Sequence, residues 1–371
     1  MRDALAERLL AEVMAWTPED IARERPDLQA MAAYKYDEYQ QFGPGMRFIE
    51  SLASWLGQFE LPNQRRTAYE FVKGKLLFCS AAEMNHLVAM AYPDKIRPLL
   101  IRGAALDAGG NPRAVARIAS SVEFRVRRRR CLFLGLSDGA RTDVFRRYNS
   151  SELSQEQIRQ TYELPEERVD RLLTSLKDDL RAILGNDPPE SMCSFRTLVL
   201  LDDFSASGLS YLRRGAGGSV DGKIGTLHRQ LAESDSPISR LLDSDQRDLI
   251  VVLYMATKQA YDHLTQVSDE IWKAIGVTCS IIAVDLLPPE IRLRIGSGDP
   301  MEPIIEEHYD HGIEDDHTRV GGTDLKYGFA GCGLPLVLAH NTPNNSIALL
   351  WARSESMRPL FPRVSRHKVG A

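Results

Sequence analysis

Two adjacent carboxylates, Asp202 and Asp203, end a short apolar run, Thr197-Leu198-Val199-Leu200-Leu201. Phe204, Ser205, Ala206, Ser207, Gly208, Leu209 and Ser210 follow. Ionised carboxylates only accept hydrogen bonds, which suits them to sugar hydroxyls or to Mg²⁺. Small hydroxyl residues and a glycine can offer O–H and backbone N–H groups to a phosphate at a helix N-terminus. The apolar run fits a strand buried on both faces of a parallel sheet. Ligands of open α/β sheets sit outside the carboxyl ends of such strands. Strand, acid pair, small-residue loop and a helix expected directly after it together describe a site for a phosphorylated sugar.

Other readings of the same residues compete. A Walker B strand also ends in acids, but it needs a phosphate loop of the form G-x-x-x-x-G-K-[ST]. Gly217 to Ile224 comes near that form, yet Ile224 replaces the metal-binding hydroxyl, and the stretch follows the acids with no apolar strand before it. A phosphoacceptor receiver domain would carry its acids early in the doubly wound unit. A plain structural turn with an acidic N-cap is the third alternative.

The stretch Asp202-Asp203-Phe204-Ser205-Ala206-Ser207-Gly208 resembles the PRPP-binding motif of type I phosphoribosyltransferases. The resemblance implies that Asp202 and Asp203 hold the ribose 2′- and 3′-hydroxyls of phosphoribosyl pyrophosphate (PRPP), with Mg²⁺ as the metal. It also implies that Ser205, Ala206, Ser207, Gly208 and Ser210 cradle the 5′-phosphate. Serine stands where threonine is commoner, and Phe204 is bulkier than usual.

The elements that would position this motif read as follows. Cys131 to Leu136 is a second apolar strand, ending in Ser137, Asp138, Gly139, Ala140 and Arg141. In the transferase reading this loop faces the diphosphate, with glycine allowing close approach and Arg141 offering a planar fork. The alternative is an ordinary turn with a solvated arginine. Asp248 to Met255 and Val277 to Leu287 read as further strands, with a helix over Thr257 to Ile275. Asn149 to Asp187 reads as charged and helical, and no basic flexible loop of the kind many type I enzymes use is visible in it. Val122, Phe124 and Val126 alternate, which predicts a strand running into Arg125 and Arg127 to Arg130. Such a run can bind phosphates or nucleic acid, or it can protect a solvated edge.

Composition sets the outer limits. The chain has 371 residues, 43% hydrophobic and 26% charged, with net charge −5. That is a globular composition without a global field toward nucleic acid or membrane. Five scattered cysteines form no CxxC pair, so neither a disulfide framework nor a zinc ribbon is indicated, and a cytoplasmic location is expected. The N-terminus mixes acids with its apolar residues, so no signal peptide is expected, and no run is long enough to span a membrane. Residues 1–97 read as a helical region, 98–290 as the α/β core and 291–371 as an extension. Thr17-Pro18-Glu19-Asp20 is a helix start signal, and Met46 to Trp55 and Thr67 to Met90 read as amphipathic helices.

In the extension, Glu306, Glu307, His308, Asp310, His311, Glu314, Asp315, Asp316 and His317 crowd together, as metal ligands or as an acidic loop. Leu334 to Ala339 and Ser346 to Ala352 read as strands around the turn-rich His340-Asn341-Thr342-Pro343-Asn344-Asn345. That stretch, Leu350-Trp351 and Pro359-Leu360-Phe361-Pro362-Arg363, together with the acid motif, resemble the PRTase-CE proteins of bacterial conflict systems. The resemblance implies a type I phosphoribosyltransferase-like parallel sheet flanked by helices, with an N-terminal helical region and a C-terminal β-containing hood. It implies a transferase, or a PRPP- or nucleotide-sensing module that regulates a partner, acting in anti-phage or inter-genomic conflict beside protein partners. His340, Asn341, Asn344 and Asn345 are candidate substrate contacts, because amides can read a nucleobase edge. They could equally lock their own loop.

Overall fold

The computed structural model describes residues 2–161 and 165–364. The strands are β1 (Leu77–Cys79), β2 (Cys131–Gly135), β3 (Ile158–Arg159), β4 (Thr197–Ser205), β5 (Arg213–Arg214), β6 (Val220–Asp221), β7 (Arg247–Thr257), β8 (Val277–Leu287) and β9 (Leu336–Leu338). The chain forms two compact units. Residues 84–288 make one, and residues 1–83 together with 289–371 make the other, so the outer two sequence stretches fold as a single body.

The 84–288 unit is built on a parallel sheet of order β3-β2-β4-β7-β8. β2 is buried throughout, as its unbroken apolar sequence requires. Leu132, Leu134, Leu198, Leu200, Val251 and Leu253 face a core closed by Leu172, Leu176 and Leu180 of the helix Glu166–Leu184. From β2 the chain first visits β3 on one side, then returns to β4 on the other. The loops after β2 and β4 therefore leave in opposite directions, which opens a crevice at the carboxyl ends of these two strands.

The other unit is mainly helical. Thr17 caps the helix Pro18–Tyr34, accepting from the Asp20 N–H in a capping box, as its sequence predicts. β1 pairs in parallel with β9, joining the two ends of the chain in one unit. Phe361 is buried among Tyr36, Tyr39, Phe42, Phe48 and Phe78.

Three local expectations are corrected. Thr67 to Met90 is not one helix: it breaks after Gly74 for β1 and resumes as Ala81–Met90. Val122–Arg129 is a helix, not a strand; Ser121 caps it by accepting from the Phe124 N–H. Three alternating residues fit a strand, but Val122 and Val126 are also one helical turn apart. Residues Ala348–Trp351 are a short helix rather than part of a strand. Among the described residues no helix is long and apolar enough to cross a membrane.

Candidate functional site

Successive side chains on a strand point to opposite faces, so Asp202 and Asp203 part company on β4. Asp202 is fully buried, while Asp203 is half-buried at the crevice. Asp202 Oδ1 accepts from the Ser137 hydroxyl and from the Asp203 N–H at 3.1 Å. Its Oδ2 accepts from the Tyr211 hydroxyl at 2.6 Å and from Lys223 Nζ at 2.8 Å. Four donors meet the roughly four lone-pair positions a carboxylate has. Burial, reinforced by the Asp203 charge, still holds the Asp202 carboxyl above its ordinary value, although Lys223 and Ser137 pull the other way.

The loop after β2 meets this pair. Ser137 Oγ accepts from the Gly139 N–H at 3.1 Å while donating to Asp202. Gly139 lies against the Asp203 carboxylate so closely that a β-carbon there would collide with it. Tyr254 of β7, buried beneath, donates to the Ala140 carbonyl at 2.7 Å and fixes the turn. Arg141 stands at φ +46°, a left-handed conformation, and donates to Asn85 Oδ1 at 2.9 Å. Asp138 is exposed. Thus Ser137 and Gly139 come directly against the acids, and Arg141 flanks the same loop.

On the other side, Ser205, Ala206, Ser207 and Gly208 are buried and Ser210 is exposed. The Ser205 hydroxyl has no hydrogen-bond partner among the described residues. A buried hydroxyl left this way costs free energy unless something else pairs with it. Ser207 Oγ accepts from the Leu209 N–H. Gly208, at φ +78°, packs where a β-carbon would come within 2.7 Å of the His263 ring. Thr257 grips the loop by donating to the Ala206 carbonyl, and also caps the helix Lys258–Lys273.

The helix expected directly after Ser210 does not begin there. A hairpin of β5 and β6 intervenes, and the helix Lys223–Ala232 starts only at Lys223. The hairpin brings the chain back: the Lys223 N–H donates to the Ser210 carbonyl at 3.0 Å and the Ile224 N–H to Tyr211 at 2.9 Å. These helix-start N–H groups are therefore taken by loop carbonyls rather than offered to a phosphate. Lys223, within the near-Walker stretch, and Tyr211, just after the small-residue loop, are site residues that the acid motif itself does not mark. Lys223 stands 21 residues after Asp202, so local spacing does not link the two.

The remaining candidates belong to other elements of the chain. His340, Asn341, Asn344 and Asn345 belong to the other compact unit. Asn341 exchanges hydrogen bonds with the Val364 backbone, and Asn345 donates to the Phe329 carbonyl at 3.1 Å. These two amides lock their own segment. In the acidic tail stretch, Glu306 pairs with Lys326 and Glu314 with His311; the His317 side chain lies outside the described set. No group of three or more His, Cys, Asp or Glu side chains suited to a metal ion is found among the described residues. The arginine run is tied down by carboxylates: Arg127 by Asp107 and Asp248, Arg128 by Glu152, Arg129 by Asp179 and Arg130 by Asp243.

A family model described as PRTase-CE matches residues 52–363. No curated protein and no solved structure matches the chain.

Proposed function

This chain belongs to the PRTase-CE family, and on that premise we propose that it binds PRPP, or a related phosphoribosyl nucleotide, with Mg²⁺ at the β2/β4 crevice. The observation that carries the reading is the meeting of the acid pair with the Ser137–Arg141 loop where the strand order reverses. Asp203 accepts from ribose hydroxyls. The unpartnered Ser205 hydroxyl donates to the 5′-phosphate. Arg141, on the loop beside the acids, turns its fork to the diphosphate.

The donors fit a metal only in part. Asp202 has no lone pair to spare, whereas Mg²⁺ is commonly held by one carboxylate plus substrate phosphates. Asp203 and the ligand's own diphosphate oxygens make up that set, and the ion would supply charge neutralisation of the diphosphate. In transfer, the C1′–oxygen bond breaks, diphosphate leaves with the bonding electrons, and an acceptor lone pair forms the new bond at C1′. The acceptor's proton passes to solvent. The protein acts in bacterial conflict defence, beside protein partners. A second reading, a sensing module that regulates such a partner, draws support from Asp202, whose four internal donors favour holding over turnover.

Calorimetry with PRPP and Mg²⁺ tests the binding. Binding is expected, with ligand at 100 times Kd raising stability by ~2.7 kcal/mol, and Gly139→Val should weaken it more than about tenfold. The absence of both binding heat and a raised Tm would sink the reading. Pyrophosphate release, lost in Asp203→Asn, separates the transferase from the sensor.

A further inference from the structure

We propose that Lys223 is a built-in counter-cation that reserves Asp202, keeping a divalent metal and sugar hydroxyls off that carboxylate until an anionic ligand draws the lysine away. The inference rests on the crevice being the ligand site, and it assigns a specificity-determining residue to it.

Asp202 and Lys223 are unequal partners. The carboxylate is 0% exposed and the lysine side chain 34%, with 2.8 Å between them. Asp202 cannot leave, because it sits on a central strand with Ser137 and Tyr211 donating to it. Lys223 can, because a third of its side chain already meets solvent and four rotatable bonds carry its ammonium. Its ammonium also lies 4.7 Å from the centre of the Tyr211 ring, a second weak hold rather than a cage.

The backbone fixes where the lysine stands. Gly222 takes φ +100°, and a β-carbon there would meet the Tyr211 carbonyl at 2.5 Å. That glycine lets the returning hairpin lay Lys223 against Ser210, the end of the small-residue loop. A phosphate entering that loop arrives beside the lysine's own backbone. Moving the ammonium from Asp202 to the phosphate exchanges one anion for another, and it opens Oδ2 to a hydroxyl. A neutral sugar brings no such anion and meets an occupied carboxylate. The pocket thus selects phosphorylated ligands by exchange of counter-ions, and Asp202 offers nothing to a divalent cation in the ligand-free protein.

Mn²⁺ titration of the full ligand-free chain, followed by electron paramagnetic resonance, tests this without any phosphoribosyl ligand. Wild type and Lys223→Arg should show no Mn²⁺ site sensitive to Asp202→Asn. Lys223→Met should gain one, bound at least about tenfold more tightly than any wild-type site. An Asp202-dependent Mn²⁺ site in wild type overturns the proposal, as does a folded Lys223→Met protein that binds Mn²⁺ no better than wild type. Should Lys223→Met fail to fold, Lys223→Gln takes its place with the same expectation. Parallel PRPP calorimetry keeps the two readings apart: failure to bind PRPP counts against the functional reading alone, and the Mn²⁺ result still decides on Lys223.

Discussion

The arginine-rich helix Val122–Arg129 and the acidic end of β4 both concentrate like charges in a few residues, and the fold treats them oppositely. On the helix, successive side chains turn by about 100°. Arg127, Arg128 and Arg129, with Arg130 just beyond, therefore reach carboxylates on several different elements, and each charge is neutralised where it lands. On the strand, two neighbours alternate by half a turn. Asp202 goes inward to a set of fixed donors, and Asp203 goes to the crevice against Gly139. Dispersed charge makes a brace; two carboxylates at a strand end, beside an unpaired hydroxyl, make the candidate site.

The contrast can be broken most forcefully by removing one charge from each place. Asp202→Ala strands the buried donors Ser137 and Tyr211 and should cost about 3 kcal/mol in urea unfolding. Arg130→Met should cost about 2 kcal/mol, since Arg130 is buried and also donates to the Ser194 carbonyl. Arg128→Ala, whose ion pair is part-exposed, should cost under about 1 kcal/mol. Equal losses at all three positions would erase the distinction.

Ser205→Ala sharpens it. If the unpaired hydroxyl awaits a phosphate, its removal leaves the ligand-free protein as stable as wild type or more so, yet weakens PRPP about tenfold. A loss of stability with unchanged binding would make Ser205 part of the brace.

Acid titration separates the regions by sign. Burial opposes ionisation of Asp243, but backbone N–H groups and Arg130 outweigh it and hold its carboxyl below 3.8. Its stabilisation is present above 3.8 and is lost as pH falls through the depressed folded value. Asp202 runs the other way. Its carboxyl is raised, so stability is lost as pH rises from 3.8 toward the folded value. Urea midpoints against pH should show a flatter acid-side loss in Asp243→Asn and a steeper one in Asp202→Asn. The smallest effect belongs to Asn341→Ala: under about 1 kcal/mol, with PRPP binding unchanged, because that amide serves its own loop.

Much of the sheet was legible because buried parallel strands are continuous apolar runs, as in Cys131 to Leu136 and Thr197 to Leu201. β3 was not: two residues at a sheet edge, one of them Arg159, carry no such run. Val122 to Arg130 misled because Val122, Phe124 and Val126 alternate as in a strand, and only the Val122–Val126 spacing also fits a helix. The acid pair itself was legible from type and order. Its inequality was not, because which face of β4 is sealed depends on Ser137, Tyr211 and Lys223, up to 65 residues away in sequence. The glycines Gly215, Gly217, Gly218 and Gly222 mark an insertion after Ser210, but nothing local shows that it closes back on Ser210 before the helix starts.

That detour has a practical use. Both of its ends are pinned, Leu212 by the His263 ring at 2.8 Å and Lys223 by Ser210. Its tip, Gly217 and Gly218, is exposed with open space around both α-carbons. A chain that leaves and returns to one point tolerates cargo at its far end. A fluorophore or short tag spliced between Gly217 and Gly218 would leave the sheet and helix in register. It would also sit only a few residues from Lys223, where a change in its signal on adding ligand would time the lysine's departure from Asp202.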